Sequence, residues 1–209
     1  MKRYVFFTLM ISCFIRGEAQ HKAGIFVSQD FSSFRFRNSE NLADNPGYTV
    51  KFGYGVLIQN DIGDNAFLEG SLAYRNKGAA SQVDLTKLEW SFHYINAGIN
   101  AGYRFDMGRF RPVTGAGVYY GRVLKADQYI GSDYFNLMSG NLINKNDLGA
   151  TVFAGMEYRY SVKFRETGNV FIRLNESVGL LNLEDYKNVK QKMFNMTFSI
   201  QAGTIFTFN

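Results

Sequence analysis

The chain has 209 residues with 23 basic and 18 acidic side chains, 21 glycines, two prolines, one cysteine and 16% aromatic residues. That is the length of one domain, too aromatic and too poor in proline for a disordered chain, and its mean hydropathy of −0.18 is too polar for a bundle of membrane helices. A formal charge of +5 is too mild to point to nucleic acid.

The one long apolar run, Tyr4 to Ile15, follows Lys2 and Arg3 and precedes Gly17-Glu18-Ala19. It is too short to span a bilayer and has small residues where a signal peptidase cuts. Residues 1–19 therefore read as a secretory signal peptide cleaved near Ala19, with 20–209 as the folded domain. Cleavage takes away Lys2, Arg3, Arg16 and Glu18, three basic residues and one acidic, so +5 becomes +3. It also removes Cys13, the only cysteine, which excludes disulfides. Reading Met10-Ile11-Ser12-Cys13 as a lipidation box sits poorly with an apolar run that continues past Cys13.

Eight segments then alternate with period two, the signature of strands with one apolar and one polar face. The first is Ala23 to Phe34. In the second, Tyr48 to Gln59, the residues Tyr48, Val50, Phe52, Tyr54, Val56 and Ile58 oppose Thr49, Lys51, Gly53 and Gly55. The third, Ala66 to Lys77, sets Leu68, Leu72 and Tyr74 against Glu69, Ser71, Arg75 and Lys77, and a polar connection from Gly78 to Lys87 follows. The fourth, Leu88 to Phe105, changes phase: its apolar positions are even as far as Tyr94 and odd from Ile95, which predicts a β-bulge there.

The fifth strand is Phe110 to Leu124, and Lys125 to Asn146 is the longest connection. The sixth, Leu148 to Tyr160, sets Val152, Met156 and Tyr158 against Thr151, Glu157 and Arg159. The seventh, Val170 to Leu181, sets Ile172, Leu174 and Val178 against Arg173, Asn175 and Ser177, with Glu176 badly placed on the apolar face. The eighth is Asn195 to Phe208. Connections after odd strands are longer and polar, and those after even strands mostly shorter. This is the asymmetry of an outer-membrane barrel with long loops outside and short turns in the periplasm. The expected fold is all-β, a closed eight-stranded antiparallel transmembrane β-barrel.

A soluble barrel has the same period with its apolar face inward, so the polar face decides. Here it is mostly Gly, Ser, Thr and Asn with isolated charges of both signs, which suits a cramped interior better than a wet surface. The aromatics agree: Tyr48, Tyr74, Trp90, Phe92 and Tyr120 fall near the loop-side ends, and Phe105, Phe110, Tyr158, Tyr160, Phe206 and Phe208 near the turn-side ends. Two girdles bracket an apolar band, as at two membrane interfaces.

An eight-stranded barrel has room inside for little more than its own side chains, so a permanent pore is not expected. Lys51, Glu69, Arg75, Arg111, Glu157, Arg159 and Arg173 read as a lumen network in which opposite charges satisfy one another. Glu89, Ser91 and His93 are the one set suggestive of catalysis, placed on the inward face near the outer rim. Residues two apart on one strand do not by themselves form a nucleophile, base and orienter chain. His21 and His93 are far apart, and no metal-ligand spacing is visible.

The ordered motifs Phe67-Leu68-Glu69, Tyr74-Arg75-Asn76-Lys77-Gly78, Tyr94-Ile95, Gly115-Ala116-Gly117 and Val178-Gly179-Leu180 with Asn182 resemble the PorT-like outer-membrane β-barrel family of Bacteroidetes, over nearly all of the mature chain. Phe208 followed by Asn209 departs slightly from the terminal aromatic favoured for barrel assembly. The resemblance implies an outer-membrane location and an up-and-down meander like that of OmpX/OmpA-like barrels, with the barrel-assembly machinery and outer-membrane lipid as partners. The expected function is a non-enzymatic barrel serving envelope structure or loop-mediated surface binding, without a cofactor. The alternatives are an accessory subunit of a type IX-like secretion machinery, with secretion-system proteins as partners, and a rim-located surface enzyme.

Overall fold

A computed structural model describes residues 21–37, 43–44, 46–83, 85–140, 142–162, 165–184 and 192–208. The leader, its cleavage point near Ala19, Cys13 and the terminal Asn209 lie outside these residues. Ten strands follow in order: β1 His21–Arg37, β2 Ala43–Asp44, β3 Gly47–Ile62, β4 Ala66–Val83, β5 Thr86–Arg104, β6 Phe110–Ile130, β7 Asp133–Asn136, β8 Asn146–Val162, β9 Arg165–Gly179 and β10 Lys192–Phe208.

Eight of them form the wall. Each long strand pairs antiparallel with its neighbour in sequence, and β10 returns to pair with β1 along its whole length, from His21 opposite Phe208 to Arg37 opposite Lys192. Closure leaves no free edge, the condition for backbone in hydrocarbon. The short strands β2 and β7 extend the loop-side ends of β1 and β6.

Outward positions are apolar and open on every wall strand: Ile25 and Val27; Val50, Phe52, Val56 and Ile58; Leu72; Ile95 and Ile99; Val118; Val152 and Met156; Ile172 and Leu174; Phe198 and Ile200. Phe52 is 69% exposed and Val27 63%. Water is the wrong solvent for a continuous apolar ring of this size, and hydrocarbon is the right one. The chain is a membrane-spanning barrel with its polar face inside. Glu176 does point outward, in regular register between Val152 and Phe198. It stands three residues from the end of β9, where a lipid-facing carboxylate is less unfavourable than at the midplane.

Three expectations are corrected. The fourth wall strand, β5, has no bulge: even positions face inward from Leu88 to Arg104, with Phe92 and Tyr94 fully buried in the same phase as Asn100 and Arg104. What changes at Tyr94 is the polarity of the inward face, and the extra residue belongs to β6, where Leu124 is skipped between Val123 opposite Tyr94 and Lys125 opposite His93. Second, Gly78 to Lys87 is not a loop, because β4 and β5 stay paired out to Val83 and Thr86. Third, much of Lys125 to Asn146 is ordered strand: β6 continues to Ile130 and turns through Gly131, at φ 60°, into β7.

The β3–β4 ladder carries a seam. Between Tyr48 and Gly53 the β3–β4 register shifts by a residue, opening the ladder opposite Gly78. Ser32 of β1 closes it from inside: its Oγ accepts from Gly78 N–H at 2.7 Å and donates to Gly78 O at 3.0 Å.

Candidate functional site

The interior is stacked in three storeys. Nearest the turns, Glu157 of β8 accepts from Arg104 Nε at 2.8 Å, from Arg173 Nη2 at 3.1 Å and from Arg111 Nη2 at 3.5 Å. Arg104 also donates to Asp61 at 2.7 Å and to Gln59 at 2.6 Å, and Arg173 donates to Glu69 at 2.7 Å. Lys22 pairs with Asp61 at 2.6 Å, while Asn100 and Gln59 donate to Glu69. Seven of the eight wall strands contribute a side chain to this cluster. Burying so many charges is tolerable only because each carboxylate meets cations in good geometry.

Aromatic rings fill the remaining space. The Arg104 guanidinium lies 4.0 Å from the Phe67 ring centroid, and that of Arg173 lies 4.5 Å from Phe171 and 5.0 Å from Phe153. These rings need glycine opposite them: a Cβ on Gly102 would sit 2.3 Å from Phe67 Cζ, and one on Gly115 2.4 Å from Phe153 Cζ. The glycine-centred fifth segment thus makes room for the plug.

The middle storey is a polar cavity of about 60 Å³ lined by Ser71, Asn96, Thr151, Asn175, Ser177 and Gln201 among others, a size and polarity that suit ordered water. Above it Arg75 pairs with Asp30 at 2.7 Å. Lys77, fully enclosed, lies 3.8 Å from Asp147 with its ammonium 4.9 and 4.7 Å from the rings of Tyr94 and Tyr119. Asp147 also accepts from Tyr119 OH at 3.1 Å and from Asn195 at 3.0 Å.

The loop-side storey is apolar. Phe34, Ala79, Phe92, Tyr94, Val123, Ala126 and Met193 from the wall pack with Leu137, Ile143 and Leu183 from above it. Beside them is a cavity of about 270 Å³ lined by Phe36, Trp90, Gln128, Leu137, Leu142, Ile143, Glu184 and Met193. Burial pushes the Glu184 carboxyl above the ordinary glutamate value.

Of the residues expected in the lumen network, Glu69, Arg75, Arg111, Glu157 and Arg173 line it and Arg159 lies half-buried at the turn side. Lys51 does not join it: at the β3–β4 seam its ammonium lies 3.3 Å from Glu89. Trp90 and Phe92 are not interface aromatics, since Phe92 is fully buried inside and Trp90 packs against the loop-side core. Tyr48, Tyr74, Tyr120, Tyr158, Phe206 and Phe208 do face outward, with Tyr74 stacked on Tyr54 at 5.4 Å and Tyr158 on Phe110 at 4.9 Å.

Glu89, Ser91 and His93 consequently face outward, not inward. His93 Nδ1 shares a 2.5 Å hydrogen bond with Tyr74 OH, Ser91 donates to Asn76 at 3.4 Å, and Glu89 is flanked by Lys51 and Lys87. No bond links serine to histidine among the described residues, so the three do not form the relay that acyl transfer needs. Nor do the described residues hold a group of three or more His, Cys, Asp or Glu able to bind a metal.

Lys22, Asp61, Arg104 and Asp147 are lumen residues that the sequence reading did not single out. Lys22 and Asp61 lie one or two residues beyond the strand ends expected there, and Asp147 precedes Leu148. Arg104 was open to detection, because every even residue after Tyr94 on that strand faces inward.

No family model matches the chain, and no curated protein matches it. Among solved structures, the chain is similar to the Escherichia coli outer membrane protein W (15% identity, covering 88% of this chain and 98% of that one, TM-score 0.47). It is also similar to the attachment invasion locus protein Ail of Yersinia pestis (11%, 90% and 99%, TM-score 0.43) and to Neisserial surface protein A (16%, 88% and 97%, TM-score 0.43).

Proposed function

We propose that the chain is a non-enzymatic bacterial outer-membrane barrel that acts through what it holds above the membrane. The observation that carries this reading is the paired hairpin formed by the end of β6 and β7. Its ladder runs from Asp127 opposite Asn136 to Ile130 opposite Asp133, so it is a rigid projection of the wall. Asp127 locks it, accepting from Tyr134 OH at 2.9 Å and pairing with Lys125 at 2.6 Å. Tyr129, Tyr134 and Phe135 remain exposed on it, and rigid exposed aromatics are the side chains that anchor protein contacts. Among the described residues β7 pairs only with β6, leaving an edge for an added strand. The ion cluster around Glu157 supports a closed lumen, which leaves the surface as the working part.

The test is a native pull-down from the outer membrane in mild detergent, comparing the natural protein with a variant whose residues 129–136 are replaced by a short Gly-Ser turn. A partner held by the first and lost from the second, with heat-modifiable gel migration unchanged in both, is the expected result. Recovery of secretion components irrespective of the hairpin would move the assignment to an accessory subunit of a secretion machinery.

A further inference from the structure

The loop-side cavity is unlike the rest of the interior. Below it every buried carboxylate among the described residues meets arginine or lysine, whereas here the lining is Phe36, Trp90, Leu142 and other apolar residues, with Gln128 and Glu184 the only polar side chains among the described residues. Glu184 lines this cavity on a backbone that Asn182 holds, accepting from its N–H at 3.2 Å and donating to its carbonyl oxygen at 2.9 Å. Its Oε2 is buried and finds no hydrogen-bond partner among the described residues. A carboxylate oxygen desolvated without a partner is unfavourable, and the cheapest remedy is a bound donor that carries positive charge.

From this we infer that the cavity is a binding site for a small organic cation, a compact apolar body bearing one protonated amine, with the ammonium on Glu184 and the body against Trp90, Leu142 and Met193. The volume of about 270 Å³ suits a small molecule rather than a peptide. The Trp90 indole adds the aromatic face that binds cations best. A carboxylate ligand is excluded by like charge, and a neutral alcohol satisfies the oxygen without neutralising it. Phe36, Trp90, Leu142 and Glu184 are only partly covered, so the site is reachable from the loop side. This goes beyond surface binding by the hairpin, which needs no cavity, and the two stand or fall separately.

Trp90 is the only tryptophan in the chain, so its emission reports on this cavity alone. The experiment titrates the full-length barrel in lipid nanodiscs with n-hexylamine at neutral pH, beside n-hexanol and hexanoate as neutral and anionic counterparts. The expected result is a saturable change in Trp90 emission with hexylamine, at least about tenfold weaker with hexanol and absent with hexanoate. Glu184→Gln weakens hexylamine by about tenfold or more and leaves hexanol unchanged. Leu142→Phe, which fills the cavity without touching the carboxylate, weakens both. Equal responses to all three probes, a non-saturable response, or hexylamine binding unaffected by Glu184→Gln would overturn the assignment. Heat-modifiable migration of each variant establishes that the barrel is formed, so a silent variant is read against a folded protein.

Discussion

Arg104 and Glu157 meet across the turn-side lumen, Nε to Oε2 at 2.8 Å, one from β5 and the other from β8, both closed off from solvent. Glu157 holds two further arginines, so Glu157→Ala leaves three buried guanidiniums short of an acceptor at once. The expected loss is about 3–5 kcal/mol in urea unfolding from lipid vesicles, with Glu157→Gln losing less because it keeps the shape and one acceptor oxygen. The natural protein is expected to give no steady conductance in planar bilayers.

Phe92 and Phe52 are both phenylalanines on wall strands but meet opposite environments. Phe92 is wholly enclosed in the loop-side core, and Phe92→Ala is expected to cost about 3–5 kcal/mol. Phe52 is 69% open on the lipid face, and Phe52→Ala is expected to cost less than half as much in the same unfolding assay. Equal losses would contradict the inward placement of Phe92.

Ser32→Ala removes both hydrogen bonds that Gly78 makes at the β3–β4 seam. The cost is expected to be about 1–3 kcal/mol, the penalty for leaving buried backbone groups unsatisfied. Amide exchange should quicken at Gly78 and its neighbours while that at Gly155, in the regular part of the β8–β9 ladder, stays as it was.

Glu184 gives the loop-side mouth a pH dependence. Burial raises its carboxyl above 4.5 in the folded state, so the folded mouth binds the proton more tightly than the unfolded one. The stabilising contribution is complete below the ordinary value and is lost as pH rises through the raised one. Thermal unfolding followed by Trp90 emission should therefore show a stability that falls as pH rises from the ordinary value through the raised one, and Glu184→Gln should flatten the fall.

The number of strands, their closure and the inside-outside pattern were legible because period-two alternation survives along each strand. Tyr48 to Ile58 and Met196 to Ile200 present the faces their alternation implies. The loop-side end was harder to read, for a physical reason. Above the membrane the outer face meets water and the inner face must be apolar, so Trp90 and Phe92 point inward where the same pattern lower down would send them to lipid. A change of solvent along one straight strand looks, in sequence, like an inserted residue. Lys51 was misread for another reason: the β3–β4 register shift, which no pattern within β3 announces, leaves it beside Glu89 of β5.

Because β5 passes through two solvents without changing phase, one strand obeys two opposite rules of substitution. Leucine at an even position above Tyr94 is conservative and below it displaces lumen asparagine or glycine; at an odd position the tolerance reverses. A scan of leucine along residues 86–104 would thus trace a sawtooth of tolerance that flips its phase once, and the position of that flip would mark where the membrane ends.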